Sequence, residues 1–354
     1  MKEKVEKFIG VLILATVIIV LIIGIFIIKG TKNNEANELS TDVNNDKKQS
    51  IIAKYFEHPH NEYFPQNKLT AYVTLYNSTK EEKEVWIQLK VKNKAGYLIY
   101  SNVEKELIIS EEEVTHPVSW ILPQDIKSGS YKTEVIVWNN DPGKPETLKI
   151  TQSIDTEQFV CFQKQENFDV LDKEFWGISE KILGKTNLKS KNVSAGDGML
   201  KIAMPRNTLN GGEVFTKKLQ KAGAYEIRMK LPLAPTSITG FFMYKAPDYY
   251  NEIDIELYNE SDSTLLLTTY SEGKKNNEYI GKLDFDPTKE FHNYRFEYDE
   301  NTVEFYVDNK LTKSFRGGFL KEDMYLMLNS WYPNWLDGQK QIKDQYLLVD
   351  WIRY

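Results

Sequence analysis

The chain has 354 residues, with 45 Lys and Arg against 51 Asp and Glu and a formal net charge of −6. That length suits about two domains, and the acidic balance excludes the basic stripe that nucleic-acid binding needs. A single cysteine, Cys161, excludes a disulfide within the chain and any Cys-based metal cluster; a lone Cys is expected to pack as a small core residue.

In chain order, the first signal is residues 8–28, an apolar run without a charge. At about 1.5 Å rise per residue, a helix of that length spans roughly 30 Å, the thickness of a bilayer core. A cleaved signal peptide has a shorter apolar region and a small-residue cleavage site, and neither is present. The reading is a single transmembrane anchor over 8–29, with 1–7 in the cytoplasm. Lys2, Lys4 and Lys7 precede the span, and the positive-inside tendency holds that end in the cytoplasm. The remainder is then the ectodomain of a single-pass cell-membrane protein. Abundant Lys, Asn and Ile beside little Arg point to an AT-rich bacterium. Residues 30–51 are polar, lack aromatics and have too little apolar surface to fold; they read as a flexible linker.

From residue 52 the pattern has period two. Leu69, Ala71, Val73 and Leu75 alternate with polar or aromatic neighbours, as do Val85, Ile87, Leu89 and Val91. Turn signals such as 93–96 (NKAG) and 128–129 (SG) separate the runs. Short strands with regular turns argue an antiparallel sandwich. An immunoglobulin-like accessory domain is expected over 52–156, with Trp86, Trp120 and Trp138 packing in its core rather than stacking on sugars.

The β texture continues over 157–354. Tyr225, Ile227 and Met229 alternate, as do Tyr294, Phe296 and Tyr298, and Val303, Phe305 and Val307. Asp308-Asn309 predicts a hairpin turn. A second two-sheet sandwich is expected, making the ectodomain all-β.

Residues 251–257 read NEIDIEL. Side chains alternate faces along a strand, so Glu252, Asp254 and Glu256 share one face and Ile253, Ile255 and Leu257 share the other. Like charges this close raise a carboxyl pKa. A glycosidase needs that pairing: one carboxylate nucleophile and one carboxylic acid donor. The Cα atoms of Glu252 and Glu256 would be about 13 Å apart, so both side chains must lean inward over Asp254. The string alone also suits a solvated strand face bearing salt bridges.

With its flanks, the segment resembles glycoside hydrolase family 16, and within it the bacterial lichenase-type β-glucanases. NEIDIEL is similar to the family's D-E-I-D-I-E-F signature. Matches continue in order: 197–200 (DGML), 210–213 (NGGE), 223–229 (GAYEIRM), 240–244 (GFFMY), 283–298 (LDFDPTKEFHNYRFEY), 305–308 (FYVD), 327–331 (MLNSW) and 349–354 (VDWIRY). The resemblance covers roughly 160–354. It implies a concanavalin A-like jelly roll whose concave face forms the cleft. It implies Glu252 as nucleophile, Glu256 as general acid and base, and Asp254 as the carboxyl that hydrogen-bonds the nucleophile.

Substrate contacts implied the same way are Glu213, Phe242, Tyr244, Tyr250, Tyr270, Asn329, Trp331 and Trp335. A structural calcium ion is implied through Asp350, with no cofactor for the chemistry. Three positions depart from the family: Tyr250-Asn251 stands for Trp-Asp, Phe215 for an arginine, and Thr268 for an asparagine. The expected partners are a polysaccharide and, through the anchor, the membrane. Retaining endo-hydrolysis of β-1,3 or mixed β-1,3-1,4 glucan, or of a related exopolysaccharide, leads, beside a transglycosylase remodelling an exported polysaccharide and a non-catalytic binding scaffold.

Overall fold

The computed structural model describes residues 51–57, 60–108, 112–144 and 157–354. The expected anchor at 8–29 lies outside them, as does the linker up to Ser50. Ile51, assigned to the linker from sequence, instead opens a strand and is buried. Among the described residues, no helix is long and apolar enough to cross a membrane. Their only helix is a single 3-10 turn at Ser190–Asn192; the other regular elements are strands.

The first unit is a two-sheet sandwich. One sheet joins Ile51–Glu57, Lys68–Asn77 and Glu113–Ile121; the other runs Glu62–Tyr63, Glu157–Cys161, Gly129–Trp138, Lys83–Asn93 and Leu98–Ile108. The alternating residues meet as expected, with Leu69, Ala71, Val73 and Leu75 sharing a core with Val85, Ile87, Leu89 and Val91. Trp120 joins that core. Trp86 and Trp138 do not: they pair across the outer face and stay half-buried.

The boundary expected at 156/157 falls later. Glu157–Cys161 pairs with Gly129–Trp138 and belongs to the first sandwich. Phe159 and Cys161 enter its core, while Val160 turns the other way, onto Phe162 and Ala224. A strand buried on both faces shows no polar alternation, so nothing in the sequence marked its allegiance. Burial pushes the Cys161 thiol up to about 12, which makes it an inert core group.

The second sandwich packs two large sheets. The outer one runs Val193–Gly196, Met199–Met204, Gln345–Arg353, Ala224–Lys230, His292–Tyr298, Thr302–Val307 and Lys310–Arg316. The cleft sheet runs Lys181–Leu183, Thr186–Leu188, Asn210–Thr216, Tyr325–Trp331, Ile238–Lys245, Asn251–Tyr258, Thr264–Ser271 and Lys274–Lys282. Between them lie Ile227, Tyr294, Phe296 and Phe305 from the outer sheet and Phe241, Met243, Ile253, Ile255 and Leu257 from the cleft sheet. Asp308 and Asn309 form the expected hairpin turn, with φ of 47° and 63°, the positive pair that a type I′ turn requires.

The outer sheet docks on the first sandwich through polar groups. Ser130 donates to Glu297 from its backbone N–H at 2.7 Å and its Oγ at 2.5 Å. Arg353 pairs with Glu62 and lies 3.6 Å from the buried Glu226.

Candidate active site

The strand Asn251–Tyr258 lies between Ile238–Lys245 and Thr264–Ser271, and their register sets the site. Glu252 sits between Tyr244 and Tyr270, Asp254 between Phe242 and Thr268, and Glu256 between Gly240 and Leu266. The isoleucines on the opposite face anchor the strand in the core, so the three carboxyls are held on a rigid floor. Gly240 keeps that floor open: a Cβ there would stand 3.0 Å from Asn329 Oδ1. Its N–H donates to that same oxygen at 3.2 Å. Asn329 Nδ2 in turn donates to Glu213 at 3.1 Å, and Glu213 also accepts from Ser179 Oγ at 2.6 Å and pairs with Lys181 at 3.0 Å.

The three carboxyls line one cavity with Glu213, Asn329 and Lys181, of about 450 Å³, within the range that holds small ligands. An edge-to-face pair, Trp331 and Trp335 at 5.5 Å, stands toward the Glu256 end of the floor. A second pair, Tyr249 and Tyr270 at 4.8 Å, stands at the Glu252 end.

All three carboxyls are shifted upward. Burial is the first cause in each, whereas the sequence argument had put like-charge repulsion first. Burial pushes Glu256 up to about 7. Glu252 also rises to about 7, by burial and the Glu256 charge, against the lowering effect of hydrogen bonds from Asp254 and the Tyr249 N–H. Asp254, 4% exposed, is held well above the usual range by burial and by both glutamates. It holds a proton the most readily of the three: it donates to Glu252 and accepts from Thr268 Oγ1 at 2.7 Å. The set titrates as a coupled unit.

Of the residues expected from sequence, Glu252, Asp254, Glu256, Glu213, Phe242, Tyr244, Tyr270, Asn329, Trp331 and Trp335 line the cavity. Tyr250 does not, which corrects the expectation. Its hydroxyl turns to Glu322 at 3.3 Å, and Tyr249 takes the place at the cavity. The cause is the left-handed backbone at Tyr249, φ 63°, which shifts the facing by one residue. Lys181, Leu183, Asp248, Leu266, Lys275, Glu278 and Met327 also line the cavity and were missed. Leu266 and Met327 follow from register: they stand across from Glu256 and Phe242.

A model of the family "Glycosyl hydrolases family 16" matches residues 183–352. That span makes the second sandwich a glycosyl hydrolase family 16 domain. The family 16 domain is similar to a Beta-glucanase of Bacillus subtilis, 27% identical over 202 residues, or 53% of this chain and 84% of that relative. A Beta-glucanase of Acetivibrio thermocellus is 30% identical over 178 residues, covering 46% of this chain and 53% of the relative. A solved Bacillus licheniformis beta-glucanase matches at a TM-score of 0.50 and 23% identity, over 54% of this chain and 96% of that one. That likeness shows the jelly-roll fold of the second sandwich.

The family 16 domain absorbs two of its departures locally. Thr268 supplies the hydroxyl that Asp254 accepts from. The Phe215 ring fills the space over Gly177, where a Cβ would clash with it. The one ligand implied for calcium, Asp350, is already engaged by a cation. Asp350 Oδ2 is paired with Arg228 Nε at 3.2 Å, and among the described residues no group of three or more His, Cys, Asp or Glu side chains could hold a metal. A calcium ion needs six to eight oxygen ligands; here a guanidinium already neutralises the carboxylate.

Proposed function

We propose that this chain is a membrane-anchored, extracytoplasmic, retaining endo-β-glucanase acting on β-1,3 or mixed β-1,3-1,4 glucan. The observation that carries the chemistry is the row Glu252, Asp254 and Glu256 on the floor of a cavity flanked by aromatic pairs. The β-glucanase names of its relatives support the substrate class.

In the first step, ionised Glu252 attacks the anomeric carbon and the glycosidic C–O bond breaks. Glu256, protonated near neutrality through its burial, gives its proton to the leaving oxygen. In the second step, Glu256 takes a proton from water. The resulting oxygen attacks the anomeric carbon and releases Glu252, with retention of configuration. Asp254, hydrogen-bonded to Glu252, favours its carboxylate form as attacking group in the first step and as leaving group in the second. Aromatic side chains offer apolar faces to sugar rings; Glu213 and Asn329 offer hydroxyl partners.

Residues 8–29 provide the anchor in this reading, and the first sandwich is an immunoglobulin-like spacer. Two measurements test it. Proton NMR of the first product from lichenan is expected to show the β-anomer, with viscosity falling ahead of reducing-end release. An α-anomer first, or release of single sugars without loss of viscosity, contradicts the mechanism. Fractionation of expressing cells is expected to leave the chain in the membrane pellet after carbonate extraction; recovery in the wash contradicts the anchor.

A further inference from the structure

A second cavity, of about 370 Å³, lies where the two sandwiches meet. It is separate from the cleft. Tyr294 and Phe296 enter the core between the large sheets, so alternation along their strand sends Arg295 to the opposite face. Register extends that row, with Tyr306 on one side of Arg295 and Glu226 on the other. Arg295, Tyr306 and Asn309 line the cavity from the second sandwich, and Asn61, Ser130 and Gln158 line it from the first. Ligand sites occur preferentially at such junctions.

Arg295 is only 6% exposed, yet most of its donors are unspent. Its guanidinium stacks over the Tyr306 ring at 4.2 Å, Nη1 donates to Asn309 Oδ1 at 3.4 Å, and Nε has no partner. Among the described residues Arg295 makes no ion pair. Three carboxylates lie near it, and each is engaged elsewhere. Glu62, which also lines the cavity, pairs with Arg353. Glu297 accepts both donors of Ser130, and Glu226 faces Arg353 at 3.6 Å. A guanidinium carries five N–H donors, and a buried charge is costly unless it is paired and hydrogen-bonded. A carboxylate matches the planar fork of those donors. The rim narrows the class further. Asn61, Gln158 and Asn309 are exposed amides, and the first two make no side-chain hydrogen bond among the described residues. An amide both donates and accepts, which suits neighbouring hydroxyls on a sugar ring.

We propose that the cavity between the sandwiches binds a uronic acid residue, its carboxylate on Arg295 and its hydroxyls on Asn61, Gln158 and Asn309. The first sandwich then supplies half of a binding site for an acidic polysaccharide. The catalytic carboxylates take no part, so the site stands or falls apart from glucan hydrolysis.

The test is calorimetric titration of the full chain in detergent with sodium glucuronate, glucose, sodium acetate and inorganic phosphate. Glucuronate is expected to bind at least about tenfold more tightly than the other three, since a hydrogen bond to a charged group is worth roughly that factor. Arg295→Gln is expected to weaken glucuronate by roughly tenfold or more and to leave the weak glucose signal and lichenan hydrolysis unchanged. The double variant Asn61→Ala with Gln158→Ala alters only exposed side chains. It is expected to weaken glucuronate about fivefold and leave acetate unaffected. Glucuronate that binds no more tightly than glucose, or equally well to Arg295→Gln, overturns the site; binding confined to the cleft gives the second result. Acetate or phosphate that binds as tightly as glucuronate, or a double variant that binds glucuronate like the parent, overturns the sugar. Should Arg295→Gln fail to fold, the parent comparison and the double variant decide. A parent that binds glucuronate in this way but cuts no glucan supports the site and overturns only the glucanase reading.

Discussion

Replacing Asp254 distinguishes a protonated middle residue from an ionised one. Asp254 is buried, donates to Glu252 and accepts from Thr268. Asp254→Asn keeps the shape, the acceptor for Thr268 and an N–H donor toward Glu252. It exchanges an acid–carboxylate hydrogen bond for an amide–carboxylate one. A hydrogen bond to a charged group is worth about 1.5–3 kcal/mol; losing part of it costs about 1 kcal/mol, or roughly five- to tenfold in rate. Asp254→Ala loses the whole bond and leaves the Thr268 hydroxyl unpartnered, a further cost of about 1–3 kcal/mol. The lost bond corresponds to roughly 10–10²-fold in rate, and the unpartnered hydroxyl lowers the melting temperature rather than the rate. Losing the donor also raises the Glu252 pKa, so the acid limb of kcat/KM moves to higher pH, further for Ala than for Asn. The assay is reducing-end release from lichenan across pH, beside thermal melts that report folding. An Asn variant as damaged as the Ala variant, or an Ala variant whose acid limb stays in place, would refute a protonated Asp254.

Other outcomes follow from the same geometry. Gly240→Ala sets a methyl 3.0 Å from Asn329 Oδ1; it is expected to raise KM several-fold by displacing Asn329 from Glu213, with a melt little changed, and an unaltered KM contradicts this. Tyr250→Phe removes only a long bond to Glu322, outside the cavity, and is expected to keep activity within about twofold; steady-state kinetics checks it. Glu226 is raised from 4.5 to about 7, chiefly by burial. The folded state therefore holds that proton where the unfolded state has lost it, and stability falls as pH rises from about 4.5 to 7. The span amounts to on the order of 3 kcal/mol, so Glu226→Gln is expected to flatten the dependence in urea titrations at several pH values; an equally steep profile contradicts the assignment. Chelation with EDTA is expected to leave the melting temperature unchanged, because Asp350 is paired with Arg228; a fall of several degrees would restore a metal.

Much of the core was legible wherever a strand buries only one face. The alternation at 69–75, 85–91 and 251–257 assigned inward and outward residues before any pairing was known. The catalytic row was legible for the same reason. The opposing wall was harder. Lys275 and Glu278 reach the cavity from the edge strand Lys274–Lys282, and Lys181 and Leu183 from the hairpin beyond Asn210–Thr216. Such placements depend on register across several strands, which alternation within one strand does not set. Tyr249 and Tyr250 were exchanged because a single positive φ reverses facing, and two adjacent tyrosines give no hint of which one bends. The domain boundary moved because Glu157–Cys161 serves two cores at once.

If Glu252 and Glu256 cut a β-glucan, release of reducing ends needs both. The direct measurement compares the full chain with Glu252→Gln and Glu256→Gln for reducing ends released from lichenan and laminarin. Release by the parent and a loss of about 10³-fold in each variant are expected, with azide restoring turnover to Glu256→Gln on a substrate bearing a good leaving group. Release that persists in Glu252→Gln, or a parent that binds these glucans and cuts neither, would contradict it.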